Sequence, residues 1–130
     1  MKLLLDTHIW IWSLLQPSKL HARVSKALVD AGNELWLSPI SVWEFLMLHE
    51  KERISVAESP RDWIVRALEK IPVKEAPLTH EVAFMTHSVG LPHRDPADRF
   101  LTATALVYGL TLVTADERLI GSGRCRILAN

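Results

Sequence analysis

Near the start of the chain an apolar run, Leu3-Leu4-Leu5, ends on a carboxylate, Asp6. The run is short and wholly aliphatic, which predicts a buried strand over Lys2–Leu5 rather than a surface element. A nearly all-round apolar stretch follows and predicts a helix from Thr7 to about Leu15. Gln16-Pro17-Ser18 reads as a turn, and a second helix runs to about Ala31, where Ala31-Gly32-Asn33 is a stop signal with glycine at the C-terminal position. Leu35–Leu37 predicts a short strand, and Ser41 to Glu52 a helix begun by a serine cap, with Glu44 near its opening.

Ser59-Pro60-Arg61-Asp62 opens another helix, with serine as cap and proline at the first position. Val73 to Pro77 is a weak extended segment, and Thr79 caps a helix to about Ser88, broken by Gly90-Leu91-Pro92. Asp95 then caps a helix from Pro96 to about Tyr108, closed by Gly109. Thr111–Val113 predicts a strand, Asp116–Leu119 one helical turn, and Arg126–Leu128 an edge strand. Strands alternating with helices imply an α/β fold, a small parallel sheet covered on both faces.

The chain has 130 residues, enough for one domain with a core of its own over residues 1–130. No apolar run approaches the roughly 20 residues that span a bilayer, and the N-terminus lacks the pattern of a secretory signal. One cysteine, Cys125, excludes an internal disulfide and argues against a zinc cluster. The expectation is a cytoplasmic protein with no membrane association. Fifteen basic and fifteen acidic residues cancel, so the net charge gives no general support to nucleic-acid binding. Arg94, Arg99 and Arg118 lie close to acids along the chain and could form a local positive rim; solvated helix-end arginines are the plainer account.

The chemistry lies in four acids, Asp6, Glu44, Asp98 and Asp116, each just beyond an apolar segment. Ligands of open parallel sheets bind outside the carboxyl ends of the strands, so these acids can converge on one metal site. Mg²⁺ and Mn²⁺ prefer carboxylate and water oxygens, and phosphodiester hydrolysis on such an ion needs no nucleophilic side chain. Each acid also has a plainer account. Asp6, Asp95 and Asp116 can be helix caps, and Glu44 can favour the positive end of its helix. Asp98 is open on local grounds, and the set of four is what favours function. Trp10 and Trp12 fit either a core or a partner surface. The six histidines have no metal-ligand spacing, and His93-Arg94-Asp95 matches a kinase loop with nothing kinase-like around it.

These residues resemble those of the PIN-domain family, specifically the VapC-type toxins of prokaryotic toxin–antitoxin pairs. The matching segments are Leu3–His8, Ile40–Glu44, His93–Ala105 and Thr111–Asp116, in the family's order and spacing. The resemblance implies a PIN-like (Rossmann-like) three-layer fold and a metal-dependent endoribonuclease. Its acidic cluster maps onto Asp6, Glu44, Asp98 and Asp116, with Thr114 or Ser41 as a polar helper. It implies that Asp6, Asp98 and Asp116 hold one Mg²⁺ or Mn²⁺, with Glu44 completing the site or holding a second ion. Water would then attack the phosphorus of single-stranded or loop RNA, leaving a 3′-hydroxyl and a 5′-phosphate. The implied partners are an RNA substrate, an antitoxin whose segment plugs the groove near the acids, and a second copy in a homodimer, with the Trp10 helix and the helix near Trp43 as contact surfaces. The alternative is a non-catalytic PIN-like module that binds RNA or protein. An acid-cluster phosphatase would need an aspartate two residues after Asp6, where His8 stands. One departure is visible: relatives often carry a basic helix after the glutamate that ends in Gly-Lys-Leu, whereas the stretch Phe45 to Ile54 here has extra acids and no glycine.

Overall fold

The computed structural model describes residues 1–91 and 95–130. Five strands, β1 (Lys2–Leu5), β2 (Glu34–Leu37), β3 (Lys74–Glu75), β4 (Thr111–Thr114) and β5 (Ile127–Ala129), form one sheet in the order β3-β2-β1-β4-β5. Every neighbouring pair is parallel. The helices are α1 (Thr7–Leu15), α2 (Ala22–Val29), α3 (Pro39–Glu50), α4 (Pro60–Lys70), α5 (His80–Ser88), α6 (Pro96–Tyr108) and α7 (Glu117–Ile120). A 3₁₀ turn over Pro17–Lys19 replaces the expected plain turn between α1 and α2.

The alternation of a strand sorts the apolar residues of β1 onto two faces. Leu3 and Leu5 enter one core, with Ile9 and Trp10 of α1, Phe45 of α3 and Ile64 of α4. Leu4 enters the other, with Leu101 and Ala105 of α6, Val82 of α5 and Leu112 of β4. The result is the three-layer α/β arrangement expected from the sequence. β1 is the middle strand: the chain leaves it toward β2 on one side and returns as β4 on the other. The gap between the carboxyl ends of β1 and β4 is therefore the topological switch point, where ligands of such sheets bind.

Several expectations are corrected. Helix α3 starts at Pro39, two residues before the expected Ser41, because Ser38 rather than Ser41 is the cap and accepts from the Ile40 amide. Glu44 consequently lies in the second turn of α3 and does not open it. Helix α2 ends at Val29, and the Gly32 amide donates to Asp30 Oδ1 in the turn beyond. Trp10 is fully buried and cannot be a partner surface. Its ring meets Phe45 and Trp63 edge-on at 6.0 Å, while Phe45 and Trp63 stack at 4.5 Å. That cluster ties α1, α3 and α4 together. Trp12 is only partly buried, one turn further round. The extended segment after α4, the Asp95 cap and the α6 helix stand as expected, and Gly109 closes α6 at φ 64°, a left-handed conformation that suits glycine. Among the described residues no helix is long and apolar enough to cross a membrane.

Candidate active site

Asp6 leaves β1 and caps α1 in a single step. Its Oδ1 accepts from the Thr7 amide at 2.7 Å, and its Oδ2 accepts from Thr114 Oγ1 at 2.6 Å. Thr114 is the last residue of β4, directly across the switch point. The same Thr114 oxygen accepts from the Asp116 amide at 3.0 Å, so one hydroxyl links the first and last of the four acids. Asp6 is only 8% exposed, and burial pushes its carboxyl up from the ordinary value against the pull of these hydrogen bonds.

Glu44 reaches the same place from α3. Thr7 Oγ1 donates to Glu44 Oε1 and lies 2.9 Å from Ser41 Oγ, whose own hydroxyl can supply that contact's proton. Ser41 and Glu44 are three residues apart and share a helix face, which is why both meet Thr7. Desolvation again pushes the Glu44 carboxyl up, helped by the negative charges of Asp6 and Asp95.

Asp98 sits in the first turn of α6 and is 6% exposed; Asp116 caps α7 through the Arg118 amide at 2.9 Å. Arg118 joins the two. Its Nη2 lies 2.9 Å from Asp116 Oδ2, 3.5 Å from Asp98 Oδ2 and 4.0 Å from Asp95 Oδ2. Of the arginines expected at a positive rim, Arg118 is inside the acid cluster. Arg99 instead points to the carbonyls of Thr86 and Leu91, and Arg94, like the His93 match, lies outside the described residues.

All four acids thus gather at one end of the sheet, but as two hydrogen-bonded pairs of differing character: Asp6 and Glu44 on hydroxyls, Asp98 and Asp116 on a guanidinium. Among the described residues no three His, Cys, Asp or Glu side chains converge tightly enough to enclose an ion as they stand. Mg²⁺ takes one or two carboxylates and completes its shell with water. Asp98 and Asp116, which both meet the Arg118 guanidinium, fit that requirement in donor type and in charge. Thr114 was legible as a helper, and Ser41 as its alternative. Thr7 was not, although a threonine directly after the strand-end aspartate is a signal that could have found it.

A groove of about 250 Å³ opens beside the acids, lined by Glu44 and Asp95 at one end and by Trp43, Met47, Lys51 and Arg53. Its basic end depends on the turn after α3. Glu52 there has φ 58°, the left-handed region, and the Arg53 amide donates back to the Leu48 carbonyl at 2.9 Å. Glu52 thus holds a conformation that suits glycine, at the cost of some backbone strain.

A family model for the PIN domain matches residues 3–121, nearly the whole of this chain and all four acids. The chain belongs to the PIN-domain family. Ribonuclease VapC22 of Mycobacterium tuberculosis is 38% identical over 119 residues, which cover 89% of this PIN chain and 88% of that protein. Among solved structures, VapBC-1 from nontypeable Haemophilus influenzae matches this PIN fold with a TM-score of 0.73 at 16% identity, over 99% of this chain and 98% of that one. VapBC2 from Rickettsia felis, bound to a DNA fragment of its promoter, matches with a TM-score of 0.72 at 13% identity, over 100% of this chain and 99% of that one. At such identities the likeness is one of fold.

Proposed function

We propose that this PIN domain is the ribonuclease toxin of a type II toxin–antitoxin pair, an endoribonuclease that works with Mg²⁺ or Mn²⁺. The observation that carries the proposal is the gathering of Asp6, Glu44, Asp98 and Asp116 at the switch point of the sheet, in a chain 38% identical to Ribonuclease VapC22. Asp98 and Asp116 would hold the ion, with Asp6 in contact directly or through water. When bound, the ion would lower the pKa of a water and neutralise charge on the phosphodiester.

The chain's own residues supply the rest. Asp6 has both oxygens engaged, by the Thr7 amide and the Thr114 hydroxyl, so its carboxylate is held in one orientation. Glu44 has Oε1 engaged by Thr7 and lines the groove. Its raised pKa suits Oε2 to accept and release the proton that passes from the attacking water. Lys51 and Arg53 lie along the same groove and would bind flanking phosphates of the RNA strand. An antitoxin segment seated in this groove would block both ends of the site. A homodimer would use the exposed apolar side of α3, where Trp43 is 53% and Leu46 38% exposed.

The test is cleavage of a single-stranded RNA by antitoxin-free protein in Mn²⁺, with Asp98→Asn and Glu44→Gln beside it. Loss of at least ~100-fold in rate for both variants is expected, with 3′-hydroxyl and 5′-phosphate ends on the wild-type products. Full activity in both variants would sink the proposal.

A further inference from the structure

Arg118 stands out because one of its nitrogens serves three carboxylates. Nη2 is 2.9 Å from Asp116 Oδ2, 3.5 Å from Asp98 Oδ2 and 4.0 Å from Asp95 Oδ2, while Nε lies 3.2 Å from Asp116 Oδ1. Asp95 and Asp98 belong to the start of α6 and Asp116 caps α7, so the guanidinium bridges two elements across the acid cluster. Like charges brought this close repel unless a cation lies among them, and a carboxylate as buried as Asp98 suffers most without one. Yet the Arg118 side chain is 55% exposed, so its tip can leave without disturbing the core. Asp98 and Asp116 are also the acids proposed for the divalent ion. A guanidinium and a divalent cation at these carboxylates oppose each other, since both are positive and both draw on the same acids.

We propose that Arg118 is a built-in counter-cation that competes with the divalent ion for Asp98 and Asp116, and that metal entry requires its side chain to swing out. The inference rests on the metal-dependent reading above. It makes Arg118 one determinant of the free protein's metal affinity, and it ties α6 to α7 when no ion is bound.

The test is Mn²⁺ titration by calorimetry, with melting temperatures taken in the absence and presence of Mn²⁺. Wild type, Arg118→Met, Arg118→Lys and Asp98→Asn are compared. Arg118→Met should bind Mn²⁺ at least tenfold more tightly than wild type, melt lower without metal and show the larger metal-induced rise in melting temperature. Arg118→Lys, which keeps the charge but loses the planar fork, should fall between the two and carries the test if the methionine variant does not fold. Equal or weaker Mn²⁺ binding by the Arg118 variants, with binding lost in Asp98→Asn, would overturn the counter-cation and leave the metal site standing. No Mn²⁺ binding by wild type and Arg118 variants alike would remove the metal reading beneath it.

Discussion

Asp6 sits in a place that disfavours its charge. Its folded-state pKa is raised above the ordinary 3.8 by burial, so the folded chain holds the proton more tightly than the unfolded chain. The stability this group contributes is therefore full below that value and is lost as pH rises through the folded-state pKa. At neutral pH, without metal, Asp6→Asn should raise the stability by about 1 kcal/mol while abolishing cleavage. The gain should shrink as the pH is lowered toward 4, and a lower melting point for the variant at pH 7 would contradict the assignment. Thr114 makes the opposite case. Its hydroxyl is the donor to Asp6 Oδ2, so Thr114→Val should destabilise by about 1–3 kcal/mol, read by denaturant unfolding. Asp6 and Asp116 drew notice in the sequence because each follows an apolar strand, and all four acids meet at one end of the sheet. Thr7 and Arg118 were harder to see in their roles, because those roles arise from side chains 37 and 20 residues away along the chain.

Among the elements, those with strong local punctuation were read most accurately. Helix α6 has Asp95 as cap, Pro96 at its first position and Gly109 at its end, and it forms as the pattern predicts. Helix α3 went wrong because it offers two serines. Ser38-Pro39 is the same start as Ser59-Pro60, but Ser41 also fits a cap, and only packing shows Ser41 turned inward against Thr7. Trp10 and Trp12 could be read as core or as partner surface for a related reason: a helix apolar almost all round has no face that periodicity can select, and the structure puts Trp10 in the core. The turn after α3 could not be read from residue type, since glutamate at Glu52 hides a left-handed backbone. Glu52→Gly should relieve that strain and stabilise the protein by about 0.5–1 kcal/mol, a rise of a few degrees in melting temperature. A fall would mean that the Glu52 side chain contributes more than its backbone costs.

For the whole molecule, the all-parallel sheet with β1 in its centre explains why acids spread from position 6 to position 116 meet. Parallel crossovers return every strand in the same direction, so each strand-to-helix junction falls on one edge of the domain. In the proposed reaction a chain of zero formal net charge would act on RNA there, because a bound cation with Lys51 and Arg53 would make the field local. The central claim is that this edge hydrolyses RNA with a divalent ion. Its most direct test is exposure of total cellular RNA to the antitoxin-free protein in Mn²⁺, beside Asp98→Asn and an EDTA control. Discrete new fragments from the wild type in Mn²⁺, absent from both controls, are the predicted result. Intact RNA in every lane, or equal cutting with EDTA, would contradict it.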